Sequence, residues 1–350
     1  MQLGVYSFGS LARRADGGVV SSAQAMRNLV EAIRLADEVG LEYFGIGEHH
    51  TEPMPASAAA VVLAGAATVT KRIRLGSSVT VLSTEDPVRV YQQFATVDAL
   101  SNGRAEITAG RGSSIESFPL FGFDLHDYDR LYAEKLDLLL TIDRGNPVNW
   151  KGTVRTDLVD AVVVPRPDSG HVPIWLGTGG NPQSSLRAGQ LGLPISYGII
   201  GGVPAKFAPL ADLYRRAAAA SEAPATQVRV SVGTPGFVGE QGESARDLWW
   251  NEWHHTMSEL GRLRGFAPPS RTSYDRDTAP GGALFVGSPD EISDRIIELH
   301  SHLGHMRHFL QMDFGTIPQR DFLRSIELLG TEVKPRLEAA LGVEPEVVTS

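Results

Sequence analysis

The sequence predicts an α/β protein built as a (β/α)8 TIM barrel with insertions. Short β-type runs alternate with longer helical patterns along the chain, and the alternation repeats eight times. The length of 350 residues suits this fold, which needs about 250 residues or more. A doubly wound open sheet is the main alternative. It usually has fewer strands, and no dinucleotide-binding glycine pattern follows the first run.

The predicted barrel strands are short apolar runs, and the predicted helices carry apolar residues at helical spacing. The strands are Leu3–Tyr6, Tyr43–Ile46, Ile73–Val81, Ala105–Ala109, Pro173–Gly177, Pro194–Tyr197, Val228–Thr234 and Phe309–Met312. The helices are Ser22–Val39, Ser57–Thr68, Pro87–Ser101, Tyr128–Ile142, Gln183–Gly189, Pro204–Ala220, Ser244–Leu263 and Gln319–Leu329. Gly40 stands where a helix-ending glycine belongs, and Pro87 suits a first helical turn.

Two stretches interrupt this alternation. Asn149–Pro167 is predicted to be an inserted hairpin with Val162–Val164 in its second arm. Pro268–Gly282 is rich in Pro and Gly, and it is predicted to be a long irregular loop that is a lid, a binding loop or simply mobile. No linker or low-complexity tract divides the chain, so we expect residues 1–350 to form a single domain.

Composition and charge argue against several classes of protein. A net charge of -9 with scattered Lys and Arg residues disfavours nucleic-acid binding, which needs a basic surface. The chain has no cysteine, which excludes a disulfide framework, a thiolate metal site and a cysteine nucleophile. Residues 1–9 lack signal-peptide character, and no apolar run reaches the ~18 residues of a membrane span. We therefore expect a cytoplasmic protein.

A glycine-rich segment after the fifth strand, Gly177–Ser184, is the clearest signal of a binding site. Glycines before a helix start let backbone N–H groups surround an anion, and the helix dipole favours negative charge there. Arg111, flanked by Gly110 and Gly112 after the fourth strand, adds a guanidinium that fits phosphate. Together they predict a phosphate pocket, although barrel phosphate sites more commonly follow strands seven and eight.

The run Glu48-His49-His50 follows the second predicted strand. Adjacent histidines on an extended segment point to opposite sides, so the two do not easily share a metal ion, and no metal site is predicted. One is expected to serve proton transfer near neutral pH and the other to cap the barrel rim. Either histidine fits either role. A later cluster consists of His300, His302, His305 and His308. We interpret it as a solvated or hydrogen-bonded connection between a helix and the eighth strand.

Four segments together resemble the bacterial luciferase-like monooxygenase family. They are Glu48–His50, Arg74–Leu82, Asp86–Arg104 and Gly110–Gly112. The stretch Arg111–Gly122 and the pair Gly201-Gly202 resemble a subgroup of FMN-dependent oxidoreductases within that family. The similarity covers essentially the whole barrel and is strongest over Arg72–Gly112.

The resemblance implies a monooxygenase that uses reduced FMN and O2 on a small organic substrate. It implies catalytic residues in Glu48, His49 and His50, with His49 as the catalytic histidine, and a cis peptide bond at Ser78–Val79 beneath the flavin ring. The FMN phosphate would be held by Arg111, Thr178, Gly179, Gly180, Gln183 and Ser184. The luciferases have a Glu-Ser pair where this chain has Gly179-Gly180, so only backbone contacts carry over there. Candidate apolar walls are Phe8, Phe118, Phe121 and Met312.

The resemblance also implies partners and leaves other functions open. Barrels of this family form homodimers through the helices that here are Ser57–Thr68 and Pro87–Ser101, and Pro268–Gly282 would correspond to the mobile lid. A separate NAD(P)H-dependent flavin reductase is an implied partner, because no nicotinamide-binding pattern is visible. The alternatives are a deazaflavin-dependent reductase on the same barrel, a flavin-binding accessory protein without turnover and, less favoured, a metal-dependent hydrolase.

Overall fold

Parallel strands close into a barrel in the structure, a computed structural model that describes residues 1–112 and 115–342 apart from the side chains of residues 263–264. The strands are β1 (Gln2–Ser7), β2 (Tyr43–Ile46), β3 (Arg74–Ser77), β4 (Thr80–Val81), β5 (Ala105–Gly110), β6 (Val148–Trp150), β7 (Leu158–Ala161), β8 (Ile174–Thr178), β9 (Ile195–Gly198), β10 (Val230–Val238), β11 (Phe285–Gly287) and β12 (Arg307–Gln311). The barrel order is β1, β2, β3 with its continuation β4, β5, β8, β9, β10 and β12, and β12 closes it by pairing with β1. The predicted TIM barrel is confirmed.

Helices surround this barrel on its outer face. They are α1 (Ser22–Glu38), α2 (Ala59–Ala67), α3 (Pro87–Ser101), α4 (Ser117–Phe121), α5 (Tyr128–Arg144), α6 (Pro182–Gln190), α7 (Ala208–Ala220), α8 (Gly242–Arg264), α9 (Arg271–Thr278), α10 (Pro289–Leu303), α11 (Gln319–Leu328) and α12 (Lys334–Leu341). The main hydrophobic core lies where the helices pack on the strands. Within the described residues, no helix combines the length and apolar character that crossing a membrane requires.

Local capping determines where the predicted helices begin and end. Asp86 accepts hydrogen bonds from the backbone N–H groups of Val88 and Arg89, and Pro87 occupies the first turn of α3. Gly40 follows α1 with a φ of 82°, a conformation that favours glycine. The predictions for both positions are confirmed.

The predicted second arm of the inserted hairpin is wrong. The hairpin pairs β6 with β7, and residues 162–164 follow β7 instead of forming it. The reason is a side-chain interaction. The amide of Asn146 donates to the carbonyl oxygen of Val163 at 3.0 Å and accepts from its N–H at 2.9 Å, in place of a strand partner.

Two other predicted elements need correction. The third strand is not continuous, because Ser78 and Val79 interrupt it between β3 and β4. The segment Pro268–Gly282 is not irregular throughout, because it contains α9. A capping box between Ser270 and Ser273 starts this helix, and the buried Tyr274 fastens it by donating to the carbonyl oxygen of Arg246 at 2.8 Å. The Pro and Gly content concealed this short helix. The helices α4, α10 and α12 and the strand β11 were not predicted either.

A buried ion-pair network fills the N-terminal end of the barrel. Glu106 is paired with Arg74 and with Arg307, whose Nη1 lies 2.6 Å from Oε2 of Glu106. Burial opposes ionisation of Glu106, but the two guanidinium groups lower its pKa to about 2. The guanidinium of Arg307 also lies 4.4 Å from the ring centre of Tyr43. This end of the barrel is therefore closed, and the open end is the opposite one.

An aromatic cluster of Tyr6, Tyr43 and Phe309 fills the middle of the barrel. Glycines on neighbouring strands leave room for these rings. A Cβ at Gly233 would lie 2.5 Å from the ring of Phe309, and one at Gly76 would lie 2.7 Å from the ring of Tyr43. The cluster forms the floor beneath the C-terminal ends of the strands.

Candidate functional site

A cavity of about 390 Å³ lies at the C-terminal ends of the barrel strands, above the aromatic floor. It brings together most of the site residues that the sequence predicted, namely Glu48, His49, His50, Ser78, Val79, Arg111, Thr178 and Gly179. Three predicted residues, Gly180, Gln183 and Ser184, lie beside the cavity without lining it.

Val79 packs between two strand ends in one wall of this cavity. The Ser78–Val79 peptide bond is cis, the geometry that the family resemblance implies at this position. A Cβ at Gly110 would lie 2.5 Å from the Val79 side chain, and a Cβ at Gly177 would lie 2.7 Å from it. Only glycine at both positions leaves room for Val79, so the three residues form one packed unit.

His49 forms a hydrogen-bonded pair with Glu116 in the wall of the cavity, and the Glu116 side chain is 25% exposed. Nδ1 of His49 lies 3.0 Å from Oε1 of Glu116, and the ring of Phe8 packs against the imidazole with 4.4 Å between ring centres. Burial opposes ionisation of Glu116, but the hydrogen bond with His49 and backbone hydrogen bonds lower its pKa to about 2. An ionised carboxylate only accepts hydrogen bonds, so Nδ1 of His49 carries the proton in this pair.

His50 forms a second pair, with Glu48. Nε2 of His50 lies 2.9 Å from Oε1 of Glu48, and the other carboxylate oxygen accepts from the N–H of Val81 at 2.8 Å. The hydrogen bond with Glu48 raises the pKa of His50, against the effect of burial. Both His49 and His50 line the cavity. The two rings have different partners, Glu116 for His49 and Glu48 for His50, although β2 ends at Ile46 and the strand alternation behind the expectation does not extend to them.

Arg111 lies at the end of β5 among aromatic and polar neighbours. Its Nη1 is 2.5 Å from Oδ1 of Asp129, and its Nη2 donates to the hydroxyl of Ser184 at 3.3 Å. Its guanidinium carbon lies 5.3 Å from the ring centre of Tyr128 and 5.9 Å from that of Tyr132. The side chain of Asp129 is 81% exposed, so this ion pair is weak and a bound anion can compete for the guanidinium.

Side chains of the loop before α6 form hydrogen bonds with some of the backbone N–H groups of the same loop. Oγ1 of Thr178 accepts from the N–H groups of Gly180 and Asn181, both at 3.3 Å, and Oδ1 of Asn181 accepts from the N–H of Gln183 at 2.8 Å. The hydroxyl of Ser184 is already the acceptor of the bond from Arg111. The hydroxyl groups of Thr178 and Ser184 therefore keep their own protons to donate to an anion.

Other predicted site features lie elsewhere. Of the four candidate apolar walls, Phe8 lines the cavity, Phe118 and Met312 are core residues, and Phe121 lines a neighbouring cavity. Ser113 and Ser114, part of the family-like stretch, lie outside the described residues.

The late histidine cluster is hydrogen-bonded, and two of its members are buried. Nε2 of His308 lies 3.0 Å from Oγ1 of Thr234, and Nδ1 of His308 lies 3.3 Å from Nε2 of His305. Both histidines are fully buried, so their part of the cluster is not a solvated connection. His300 bonds the backbone carbonyl of His305 at 2.8 Å. Neither His305 nor His308 lines the cavity.

Several polar residues that line the cavity, among them Glu116 and Ser117, were not predicted from the sequence. Both belong to the family-like stretch, yet neither was assigned a role. Glu116 is 67 residues from His49 in the chain, so no local spacing connects them. One signal in the sequence could have identified Glu116. It is an acidic residue in the loop that follows a barrel strand and Arg111, and such loops form the active sites of TIM barrels.

Known proteins resemble this chain in sequence and in fold. A family profile described as luciferase-like monooxygenase matches residues 1–306. The 4-hydroxyprotoasukamycin monooxygenase of Streptomyces nodosus subsp. asukaensis is 28% identical over 322 residues, which are 89% of this chain and 87% of that protein. The F420-dependent glucose-6-phosphate dehydrogenase of Amycolatopsis mediterranei is 32% identical over 174 residues, which are 47% of this chain and 51% of that protein.

Solved structures share the fold over nearly the whole chain. Monooxygenase RslO1 from Streptomyces bottropensis has a TM-score of 0.82 and 21% identity, covering 96% of this chain and 99% of its own. The oxygenating constituent of the 3,6-diketocamphane monooxygenase of Pseudomonas putida, in complex with FMN, has a TM-score of 0.75 and 19% identity, covering 96% and 98%. With the profile match over residues 1–306, these findings establish that the chain belongs to the luciferase-like monooxygenase family.

Proposed function

We propose that this protein is an FMN-dependent monooxygenase that uses reduced FMN and O2 on a small organic substrate. The observation that carries the proposal is that one cavity joins a cationic anchor, Arg111, to a partly buried histidine–carboxylate pair, His49 and Glu116. The Ser78–Val79 segment lies on the wall of the same cavity. A flavin mononucleotide needs these three parts in this combination: a phosphate anchor, a surface for its ring and a group that handles protons.

The phosphate end fits a dianion. Arg111 supplies two N–H groups, and the hydroxyls of Thr178 and Ser184 have protons to donate. The backbone of Gly179 is open, since a Cβ there would meet no atom closer than 4.0 Å. The resemblance also assigned Gly180 and Gln183 to the phosphate. Gly180 would contribute through the shape of the loop, and Gln183 through its position in the first turn of α6. The phosphate would displace Asp129 from Arg111.

The remaining residues would orient the reactants and handle protons. Bound reduced FMN would supply the electrons that activate O2. We place proton exchange with the reactants on the imidazole of His49, which Glu116 holds through Nδ1. Glu48 and His50 would hold the second wall, with Glu48 fastened to the backbone of Val81. The aromatic floor would limit the access of water.

The experiment that tests this proposal is an absorption spectrum of the purified protein after addition of FMN, followed by reduction and admission of air. A perturbed flavin spectrum and substrate-dependent oxygen uptake would support it. Absence of any spectral change with FMN would refute it. Binding of FMN with no turnover on any substrate would instead favour a flavin-binding accessory protein.

A deazaflavin-dependent reductase on the same barrel is the second candidate. It is favoured by the similarity to the F420-dependent dehydrogenase, and Arg111 would serve the phosphate group of either cofactor. Parallel titrations with FMN and with F420 decide between the two. Tighter binding of F420, with hydride transfer but no oxygen uptake, would establish the reductase.

We also propose a single-domain chain that works as a homodimer and obtains reduced FMN from a separate flavin reductase. The helices that would pair are α2 and α3, and the exposed Val61 on α2 supports this assignment. The segment Pro268–Gly282, which contains α9, would act as the lid. Copurification of a reductase activity from the natural host would test the partner.

A further inference from the structure

We propose that Asp313 is a positioning residue: its carboxylate lies outside the cavity and fixes the ring of Phe8, which in turn holds the imidazole of His49. The inference rests on the proposed function, because it adds a residue to the proton-handling part of that reaction. Its basis is a continuous series of contacts that runs from Asp313 to His49 through Ser7 and Phe8.

The first contacts join Asp313 to the loop that follows β1. Asp313 is only 6% exposed and comes two residues after the end of β12, the strand that pairs with β1. Its Oδ2 atom accepts from the hydroxyl of Ser7 and, at 3.3 Å, from the N–H of Ser10. The hydroxyl oxygen of Ser7 accepts in turn from the N–H of Gly9 at 2.9 Å. These hydrogen bonds fix the backbone on both sides of Phe8.

The ring of Phe8 makes the next contacts, with the segment that carries His49. A Cβ at Gly47 would lie 2.2 Å from Cε1 of Phe8, so the ring lies directly against the backbone two residues before His49. The same ring contacts the imidazole edge to face, with 4.4 Å between ring centres and 69° between the planes. The N–H of Gly47 also donates to the carbonyl oxygen of Ser7 at 2.9 Å. In so tightly packed a wall, a shift of Phe8 must shift His49 as well.

Asp313 is retained at a cost to the stability of the fold. Its Oδ1 atom is buried and has no hydrogen-bond partner among the described residues. Burial also raises the pKa of Asp313 to about 6, which reflects the free energy lost when its charged form leaves water. Departures of this kind are expected where a residue serves a functional site. The described residues that line the cavity include Phe8 and His49 but not Asp313 or Ser7, so Asp313 acts through Phe8 and not on the reactants.

NMR of the flavin-free protein, with 13C-labelled histidine, tests the inference. The resonance of His49 is identified as the one that is missing from His49→Gln. Asp313→Ala cannot accept either hydrogen bond, so this resonance should shift or double. Turnover of the FMN-loaded variant should fall about tenfold, as expected of a misplaced catalytic group, while the Kd for FMN should stay within about twofold of the parent value.

Two further variants separate positioning from loss of the fold. Asp313→Asn keeps an oxygen that accepts hydrogen bonds, so it should restore the His49 resonance and most of the turnover that Asp313→Ala loses. Ser7→Ala removes the hydroxyl between Asp313 and Gly9 and should shift the His49 resonance in the same direction as Asp313→Ala. Ser7→Ala therefore carries the test if Asp313→Ala does not fold.

Asp37→Ala is the matched control. Asp37 is also 6% exposed, and it accepts hydrogen bonds from the backbone N–H groups of Lys71–Ile73, but it lies on α1 and does not line the cavity. This variant should lose stability without changing the His49 resonance or turnover. The inference is overturned if the folded Asp313→Ala or Ser7→Ala leaves the His49 resonance unchanged, or if Asp37→Ala shifts it equally. The NMR measurement needs no flavin, so a protein that ignores FMN but shows the expected shifts would count against the proposed function alone.

Discussion

Nδ1 of His49 lies 3.0 Å from Oε1 of Glu116, in a contact that joins the loop after β2 to the start of α4. The low pKa of Glu116, about 2, means that this carboxylate stays charged at neutral pH. A fixed negative charge beside one ring nitrogen orients the imidazole through this hydrogen bond. The proposed proton transfer therefore depends on two residues instead of one.

The first prediction concerns this pair. Glu116→Gln keeps the size of the side chain but removes the charge, so turnover should fall about tenfold to a hundredfold, equivalent to a charged hydrogen bond of about 1.5–3 kcal/mol. FMN affinity should change little, because the proposed side-chain contacts to the phosphate come from Arg111, Thr178 and Ser184 and not from Glu116. Steady-state oxygen uptake and flavin titration check the two expectations.

A double variant provides the control. His49→Gln alone should lower turnover by about a hundredfold or more, as is typical of a lost acid–base group. If Glu116 acts through His49, adding Glu116→Gln to His49→Gln should have almost no further effect. Additive losses would mean that the carboxylate acts on its own.

The second prediction concerns the phosphate anchor. Arg111→Ala should weaken FMN binding at least tenfold, or ~1.4 kcal/mol, because a charge-assisted bond to a dianion is lost. Riboflavin, which lacks the phosphate, should bind the variant and the parent protein about equally. Equal FMN affinity in both proteins would remove Arg111 from the phosphate site.

The third prediction follows from the weak ion pair at Arg111. Asp129→Asn removes a carboxylate that competes with phosphate for the guanidinium. FMN binding should therefore tighten, by about twofold to fivefold, in keeping with the small free energy of exposed ion pairs. A decrease in affinity, measured in the same titration, would show that Asp129 supports the site.

The barrel could be predicted from the sequence because its signals are local. The strands are apolar runs, and neighbours in the chain supply the caps, as Asp86 does at the start of α3 and Gly40 does after α1. From the sequence, glycines such as Gly110 and Gly177 were predicted to leave space for a bound phosphate. Their second role, room for Val79, needed the three-dimensional arrangement.

The missed features depend on contacts between distant residues. The side chain of Asn146 forms hydrogen bonds with the backbone of Val163, which therefore does not pair in the hairpin. The prediction that this valine lies in a strand was based on its apolar neighbours alone, and it was wrong. Glu116 was visible as a residue, but its pairing with His49 arises only when β2 and β5 become neighbours of β3 and bring their loops together. Side-chain partners across the barrel mouth leave no periodic pattern in the sequence.

The fourth prediction tests the proposed homodimer. Val61 on α2 is 65% exposed, and a second chain packed on α2 would cover it. Light scattering should give twice the chain mass of 37.7 kDa, and Val61→Glu should shift the protein to the single-chain mass without unfolding it. Leu191→Glu, at an apolar site after α6 that is 45% exposed, should stay dimeric. A single-chain mass for the parent protein would refute the dimer.

The fifth prediction concerns the buried histidines outside the site. Burial lowers the pKa of His308 to about 3 and lowers that of His305 well below 6.5. Both are neutral in the folded protein but take up protons once unfolded, below about pH 6.5. The unfolded state then binds more protons, so the free energy of unfolding should fall as the pH drops from 6.5 towards 3.

Asp313 contributes with the opposite sign. Burial raises its pKa to about 6, so the folded protein takes up this proton first and gains stability as the pH falls from about 6 to 4. The contribution of Asp313 to the free energy of unfolding is the same in the parent protein and in a His308 variant, so it cancels when the two are compared. His308→Gln keeps a hydrogen-bonding partner for Thr234 but cannot titrate, so between about pH 7 and 5 the variant should lose less stability than the parent protein, by the contribution of one buried histidine. Urea unfolding at each pH measures this difference. An unchanged pH dependence would mean that His308 is charged or solvated in the folded protein.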